Sequence, residues 1–178
     1  EITCRDWSSD VCSSDLFVGN HNYYSKGIDI LEEIVKNGHE IDLVTNMKPS
    51  SGLGWIPNIE NKDLGRIYNE YSILLFPSRF EAGGLVTIEA MACGLPVIVF
   101  NVGYGADIRD EVPVFVIDVN LDFQIIIHEI LNRIEIINKN YDFYSTLSRE
   151  YALKHHTEKM FNQQWKSLME EFDDELGD

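Results

Sequence analysis

The chain has 178 residues, with 30 acidic against 14 basic side chains and a formal charge of −16. That length supports one domain with a sizeable core, and 44% hydrophobic with 25% charged residues is an ordinary globular balance. Such acidity argues against general affinity for nucleic acid or anionic membrane, which need basic surface, and no apolar run approaches the roughly 20 residues that span a bilayer.

The first sixteen residues stand apart. Asp6 to Leu16 (DWSSDVCSSDL) resembles the conceptual translation of a short-read sequencing adapter, with no helical or strand periodicity; a natural flexible leader is the alternative. There is no basic segment followed by an apolar one, so no secretory leader is visible. Setting residues 1–16 aside removes Cys4 and Cys12 and leaves Cys93, which alone makes neither an internal disulfide nor a zinc cluster. That points to a reducing, cytoplasmic compartment. Cys93 itself reads as a small buried residue, since no basic neighbour is evident to lower its pKa.

From Phe17 the pattern is regular. Phe17-Val18-Gly19 is the end of a buried strand, and Asn20 to Ser25 a polar loop. Lys26 to Asn37 carries Ile28, Leu31, Ile34 and Val35 at helical spacing, with Gly38 placed for a left-handed cap. Ile41 to Thr45 is a strand, followed by a Pro/Ser/Gly loop and a very short strand at Trp55-Ile56. Asn61 is placed to cap a helix to about Glu70, with Leu64, Ile67 and Tyr68 inward. Ile73 to Phe76, Pro96 to Phe100 and Val114 to Ile117 are apolar runs suited to strands buried on both faces. Leu85 to Cys93 is a helix. Asn120 opens a long amphipathic helix to about Asn140, with Ile125, Ile126, Ile130, Ile134 and Ile137 among its core positions; Tyr144 to Leu153 and Thr157 to Phe172 are helical as well.

Strands alternating with helices imply an α/β, Rossmann-like parallel sheet with helices on both faces. Ligands of such sheets bind beyond the carboxyl ends of the strands, so the loops at 20–25, 56–60, 78–84 and 101–106 should share one rim. His21 falls in that rim, but a lone histidine there is more often incidental. His155 and His156 are adjacent on a helix and point to different faces, poor geometry for one metal, and metal-ligand spacing is otherwise absent.

The stretch that carries chemistry is Phe76 to Val97, FPSRFEAGGLVTIEAMACGLPV. Gly83 and Gly84 let the backbone approach a ligand, and the helix starting near Leu85 directs its free amides at the loop, a ready place for phosphate. Glu81 and Glu89 bracket that anion site. Carboxylates are poor neighbours for bare phosphate, so each is suited to neutral hydroxyls, which a nucleotide sugar supplies at both ends of its diphosphate.

This segment resembles the family 4 retaining glycosyltransferases of GT-B fold, with Pro-Ser, Glu, a glycine pair and then Glu-Ala-Met-Ala-Cys-Gly-Leu-Pro-Val; the likeness runs from about Phe17 to Phe172. It implies that residues 17–178 form a donor-binding domain, that the acceptor domain lies upstream of it, and that the donor is a nucleoside-diphosphate sugar, with a glycan, lipid or protein acceptor. It further implies that Glu81 orients the transferred sugar, that Glu89 binds the ribose, that amides of Gly83, Gly84, Leu85 and Val86 hold the diphosphate, and that backbone near Ile56 meets the base. No cofactor and no metal are expected.

The family's Gly-Arg…Lys-Gly motif is represented by Gly19 and Lys26-Gly27, with Asn20 where arginine is usual. A charge-assisted hydrogen bond is worth about 1.5–3 kcal/mol, so its loss weakens donor binding roughly tenfold to over a hundredfold. Arg79, two residues before Glu81, is a candidate replacement. The family also has another helix between the Ile41 strand and the Pro-Ser loop, where this chain has only the loop Met47 to Leu53. In the family the last helix, striped here with Phe161, Trp165, Leu168, Met169 and Phe172, reaches back to the other domain; packing on its own domain is the alternative. A non-catalytic nucleotide-sugar-binding module is the rival reading, whereas a dinucleotide-binding domain would need a glycine fingerprint that Gly19 to Gly27 does not supply.

Overall fold

The unbroken apolar runs become the middle of a parallel sheet. A computed structural model describes residues 14–20, 22–49, 52–57, 59–160, 162 and 166. The strands are β1 (Ser14–Val18), β2 (Glu40–Val44), β3 (Gly54–Ile56), β4 (Leu74–Phe76), β5 (Val97–Phe100) and β6 (Val116–Ile117). All pair in parallel, in the order β3-β2-β1-β4-β5-β6. Leu16 lies opposite Leu74, Phe17 opposite Leu43 and Leu75 opposite Ile98, all nearly or fully buried. Removing each such side chain from water stabilises the fold by about 1.5–3 kcal/mol.

The helices are α1 (Ile28–Lys36), α2 (Asn61–Tyr68), α3 (Leu85–Ala92), α4 (Tyr104–Ile108), α5 (Phe123–Lys139) and α6 (Tyr141–His155). From β1 the chain steps through α1 to β2 on one side, and from β4 through α3 to β5 on the other. Right-handed crossovers in opposite directions put α1 and α3 on opposite faces. Accordingly α5 returns to pack with α1, while α2 and α6 pack with α3. The chain is therefore an α/β, Rossmann-like parallel sheet with helices on both faces.

Several boundaries depart from the sequence pattern. The first strand begins at Ser14, three residues before Phe17, because its backbone pairs in register with β2 from Glu40 onward whatever the side chains. Asp15 is thereby only 3% exposed. Its carboxylate lies 3.9 Å from His39 Nδ1, and burial pushes its pKa up to about 7. Asn61 is the first residue of α2 and not its cap; Glu60 takes the cap position in extended conformation, without a side-chain bond. Val114 belongs to a 3-10 turn over Pro113–Phe115, and its carbonyl accepts from Arg133 Nη1 at 2.9 Å, which shortens β6 to two residues. The 101–106 loop contains the start of α4. Ile125 is 45% exposed, whereas the buried residues of α5 are Ile126, Ile127, Ile130, Ile134 and Ile137. The third predicted helix of the C-terminal region, Thr157 to Phe172, lies mostly outside the described residues, as do its apolar stripe and His21.

Candidate functional site

Strand order reverses between β1 and β4, and in open parallel sheets the crevice at that point is where ligands bind. A cleft of about 600 Å³ opens there. One wall is Gly19, Asn20 and Lys26 from the segment after β1. Another is the turn after β4, with Glu81, Gly83, Gly84, Leu85 and Val86. Thr45 and Asn46 after β2, Ile59, and Asn61 and Leu64 of α2 close the far side.

At its centre Lys26 Nζ donates to Glu81 Oε2 at 2.7 Å, with both side chains about a fifth exposed. The ammonium also lies 5.3 Å from the centre of the Phe76 ring. Glu81 Oε1 accepts from the amides of Ala82 and Gly84 at 3.2 and 3.4 Å. Burial alone would raise the Glu81 pKa, but the Lys26 ammonium and those two amides outweigh it and leave the carboxyl below its usual value. Glu81 is held as an ordered carboxylate.

Gly84 caps α3 with φ +60°, the left-handed region that L side chains avoid. A side-chain carbon there would also lie 3.0 Å from Tyr104 Cβ. One at Gly83 would meet nothing within 4 Å, so this residue presents bare backbone to the cleft. Past this turn α3 begins, and the first amides of a helix have no intrahelical acceptor. Together with the macrodipole they favour an anion.

The remaining predicted residues lie apart from this cluster. Glu89 is exposed on α3, one turn beyond Leu85, and its Oε2 accepts from Tyr68 Oη at 3.2 Å; it does not line the cleft. Ile56 ends β3 outside the lining, and Ile59 takes its place. Arg79 is turned away. Its guanidinium forks onto Asp29 at 2.8 and 2.7 Å, donates to Tyr24 O at 2.7 Å and lies 4.3 Å from the centre of the Tyr24 ring. Lys26 is thus the only cation lining the cleft among the described residues.

Thr45, Asn46 and Asn61 complete the lining without having been singled out by motif. The signal for the first two was their place directly after a strand end, where ligand-facing loops of such sheets lie. At this end Trp55 Nε1 donates to Thr45 O at 3.1 Å, joining the edge strand to the cleft wall. Among the described residues no group of three or more His, Cys, Asp or Glu side chains is arranged to hold a metal. His155 contacts Glu111 at 3.2 Å and His156 contacts Tyr104 Oη at 2.8 Å, so the two imidazoles serve different partners.

Comparisons with known proteins bear on the family and the fold. The family model for glycosyl transferases group 1 matches residues 37–136. A D-inositol 3-phosphate glycosyltransferase of Salinispora arenicola is 32% identical over 81 residues, covering 45% of this chain and 18% of that protein. Among solved structures, sucrose-phosphate synthase from Thermosynechococcus elongatus superposes with a TM-score of 0.70 at 20% identity, covering 90% of this chain and 45% of that one. WaaG, a glycosyltransferase involved in lipopolysaccharide biosynthesis, gives 0.67 at 20% identity, covering 87% and 46%. The chain spans under a fifth of that curated relative and under half of each solved chain.

Proposed function

Because this chain belongs to the glycosyl transferases group 1, we propose that its cleft is the donor site for a nucleoside-diphosphate sugar. The hexose is transferred to an acceptor hydroxyl with retention of anomeric configuration, the acceptor being held by a second domain. The observation that carries this reading is the Lys26–Glu81 pair beside the free amides of α3. It sets a cation and helix amides for a diphosphate next to a carboxylate for sugar hydroxyls.

In this reading Lys26 leaves Glu81 for the diphosphate when donor enters, and Glu81 turns to the hydroxyls of the sugar. Both partners of the resting pair gain a substrate group, so neither is left buried and unpaired. The charge that develops on the departing diphosphate is met by Lys26 and by amides from Gly83 to Val86, an electrostatic role that needs no metal. Glu89, on the same helix but outside the cleft, addresses the ribose at the donor's far end, with the base lying toward Ile56 and Thr45. Asn20 contributes a neutral contact where a cation would bind diphosphate more strongly.

Calorimetric titration of the chain with UDP-, GDP- and dTDP-sugars tests the assignment. One donor is expected to bind, with affinity lost in Glu81→Gln for the sugar but retained for the free nucleotide. Asn20→Arg is expected to tighten diphosphate binding about tenfold or more. Absence of binding to every donor in the panel sinks the proposal.

A non-catalytic sugar-nucleotide-binding module is the second reading, favoured by one observation: the only cation in the described lining is already matched by Glu81. Turnover by a chain joined to an acceptor domain, abolished by Glu81→Ala, separates the two. Alone, residues 17–178 are expected to transfer slowly or not at all.

A further inference from the structure

We propose that Arg79 and Asp29 are positioning residues that set the Lys26–Glu81 pair by fastening together the two loops that carry it. The inference rests on the reading of the cleft as a donor site for its functional meaning, but its geometry stands by itself. Lys26 and Glu81 lie on separate segments, after β1 and after β4. Without a link between those segments, the 2.7 Å contact would depend on two loops each finding its place alone.

Arg79 supplies that link at four points. Its backbone N–H donates to Ser25 O at 2.8 Å, and Nη1 donates to Tyr24 O at 2.7 Å. Its guanidinium forks onto both oxygens of Asp29 in the first turn of α1, and its face lies on the Tyr24 ring at 4.3 Å. Ser78 Oγ adds a bond to Ser25 O at 3.2 Å. Every one of these contacts grips residues within three positions of Lys26, and Arg79 stands two before Glu81.

Two features make the fastening specific. The ion pair is 12% and 21% exposed at Arg79 and Asp29, so solvent screens it less than an ordinary surface pair. The fork uses two parallel N–H bonds, which fix orientation as well as distance and which lysine cannot reproduce. Beneath it, Gly27 has φ +71°, and a side-chain carbon there would lie 2.2 Å from Pro77 O, so the two loops meet backbone to backbone. A site held this way binds without first ordering its loops, which is the advantage of preorganisation.

The test compares Arg79→Lys, Asp29→Asn and Tyr24→Ala in the whole chain. The last removes only an exposed ring beneath the guanidinium and leaves the ion pair in place. Urea unfolding confirms that each variant is folded. Carbon-detected NMR titration follows the Glu81 carboxyl, and calorimetry follows inorganic pyrophosphate, a probe independent of base and sugar. The Glu81 titration is expected to move up from its depressed position in Arg79→Lys and Asp29→Asn, and less in Tyr24→Ala. Pyrophosphate affinity is expected to fall about tenfold in the first two, with no further loss in the double variant. A Glu81 titration unchanged in all three folded variants overturns the proposal. If the unmodified chain does not bind pyrophosphate, the donor-site reading fails while the titration still decides the fastening.

Discussion

The hydroxyl of Tyr104 lies 2.8 Å from Nε2 of His156, and the Cβ of the same tyrosine fills the space under Gly84. The floor of the turn before α3 is thereby tied to the end of α6. Tyr104→Phe keeps the ring and its wedge but removes the hydrogen bond, which costs about 1 kcal/mol of stability. Urea unfolding should show that loss; an unchanged midpoint would mean the contact contributes nothing in solution.

Gly84 and Gly83 are adjacent but should respond differently to the same change. Gly84→Ala forces a side chain into left-handed backbone and against Tyr104, and should destabilise the fold by about 1–2 kcal/mol. Gly83→Ala meets open space, so the fold should hold while the new methyl intrudes on the cleft. Unfolding and pyrophosphate titration on both variants separate the effects: loss of stability in the first, loss of affinity alone in the second.

Asp15 makes stability depend on pH in the direction opposite to most carboxylates. Its pKa is raised by burial from 3.8 to about 7, so the folded chain prefers the protonated form. The Asp15 contribution should be greatest in acid, fall as pH rises from about 4 to about 7, and level off beyond. A shift of about 3 units corresponds to about 4 kcal/mol at most. His39, 3.9 Å away, softens the loss where it is protonated, although its own pKa is lowered by burial. Asp15→Val should be more stable at neutral pH and lose this dependence. Equal stability of the two proteins at neutral pH would refute the prediction.

The Lys26–Glu81 pair acts in the other sense. Because the folded Glu81 pKa is lowered, its contribution is present above the ordinary glutamate value and is lost as pH falls through the folded value. At about a fifth exposure the pair is worth no more than about 1 kcal/mol. Glu81→Gln should therefore be slightly less stable than the parent at neutral pH and indistinguishable from it in strong acid. Urea unfolding at both pH values checks this.

The fold and about half of the candidate cleft's lining are legible in the sequence because their signals are local. Continuous apolar runs such as Ile73 to Phe76 mark buried strands, and Glu81 to Val86 lie on one turn and one helix start. Features decided by contact between distant segments were not readable. Arg79 looks like a spare cation until α1 brings Asp29 beneath it, 50 positions away in sequence. Ile125 fits the helical period, but which arc of α5 is buried depends on where α1 and β6 lie. Asn61 resembles a cap by residue type, yet Glu60 has the extended backbone that the cap position requires. Strand order also escaped, since alternating βα units are compatible with more than one winding.

Trp55 offers a practical handle on all of this. Of the chain's three tryptophans, Trp7 and Trp165 lie outside the described residues, and Trp55 hydrogen-bonds the carbonyl of a cleft residue. An indole half in water and half against that wall is an intrinsic optical probe: its emission should shift when a ligand displaces solvent beside Thr45. Replacing Trp7 and Trp165 by phenylalanine would isolate that signal and let occupancy be followed by fluorescence without any label.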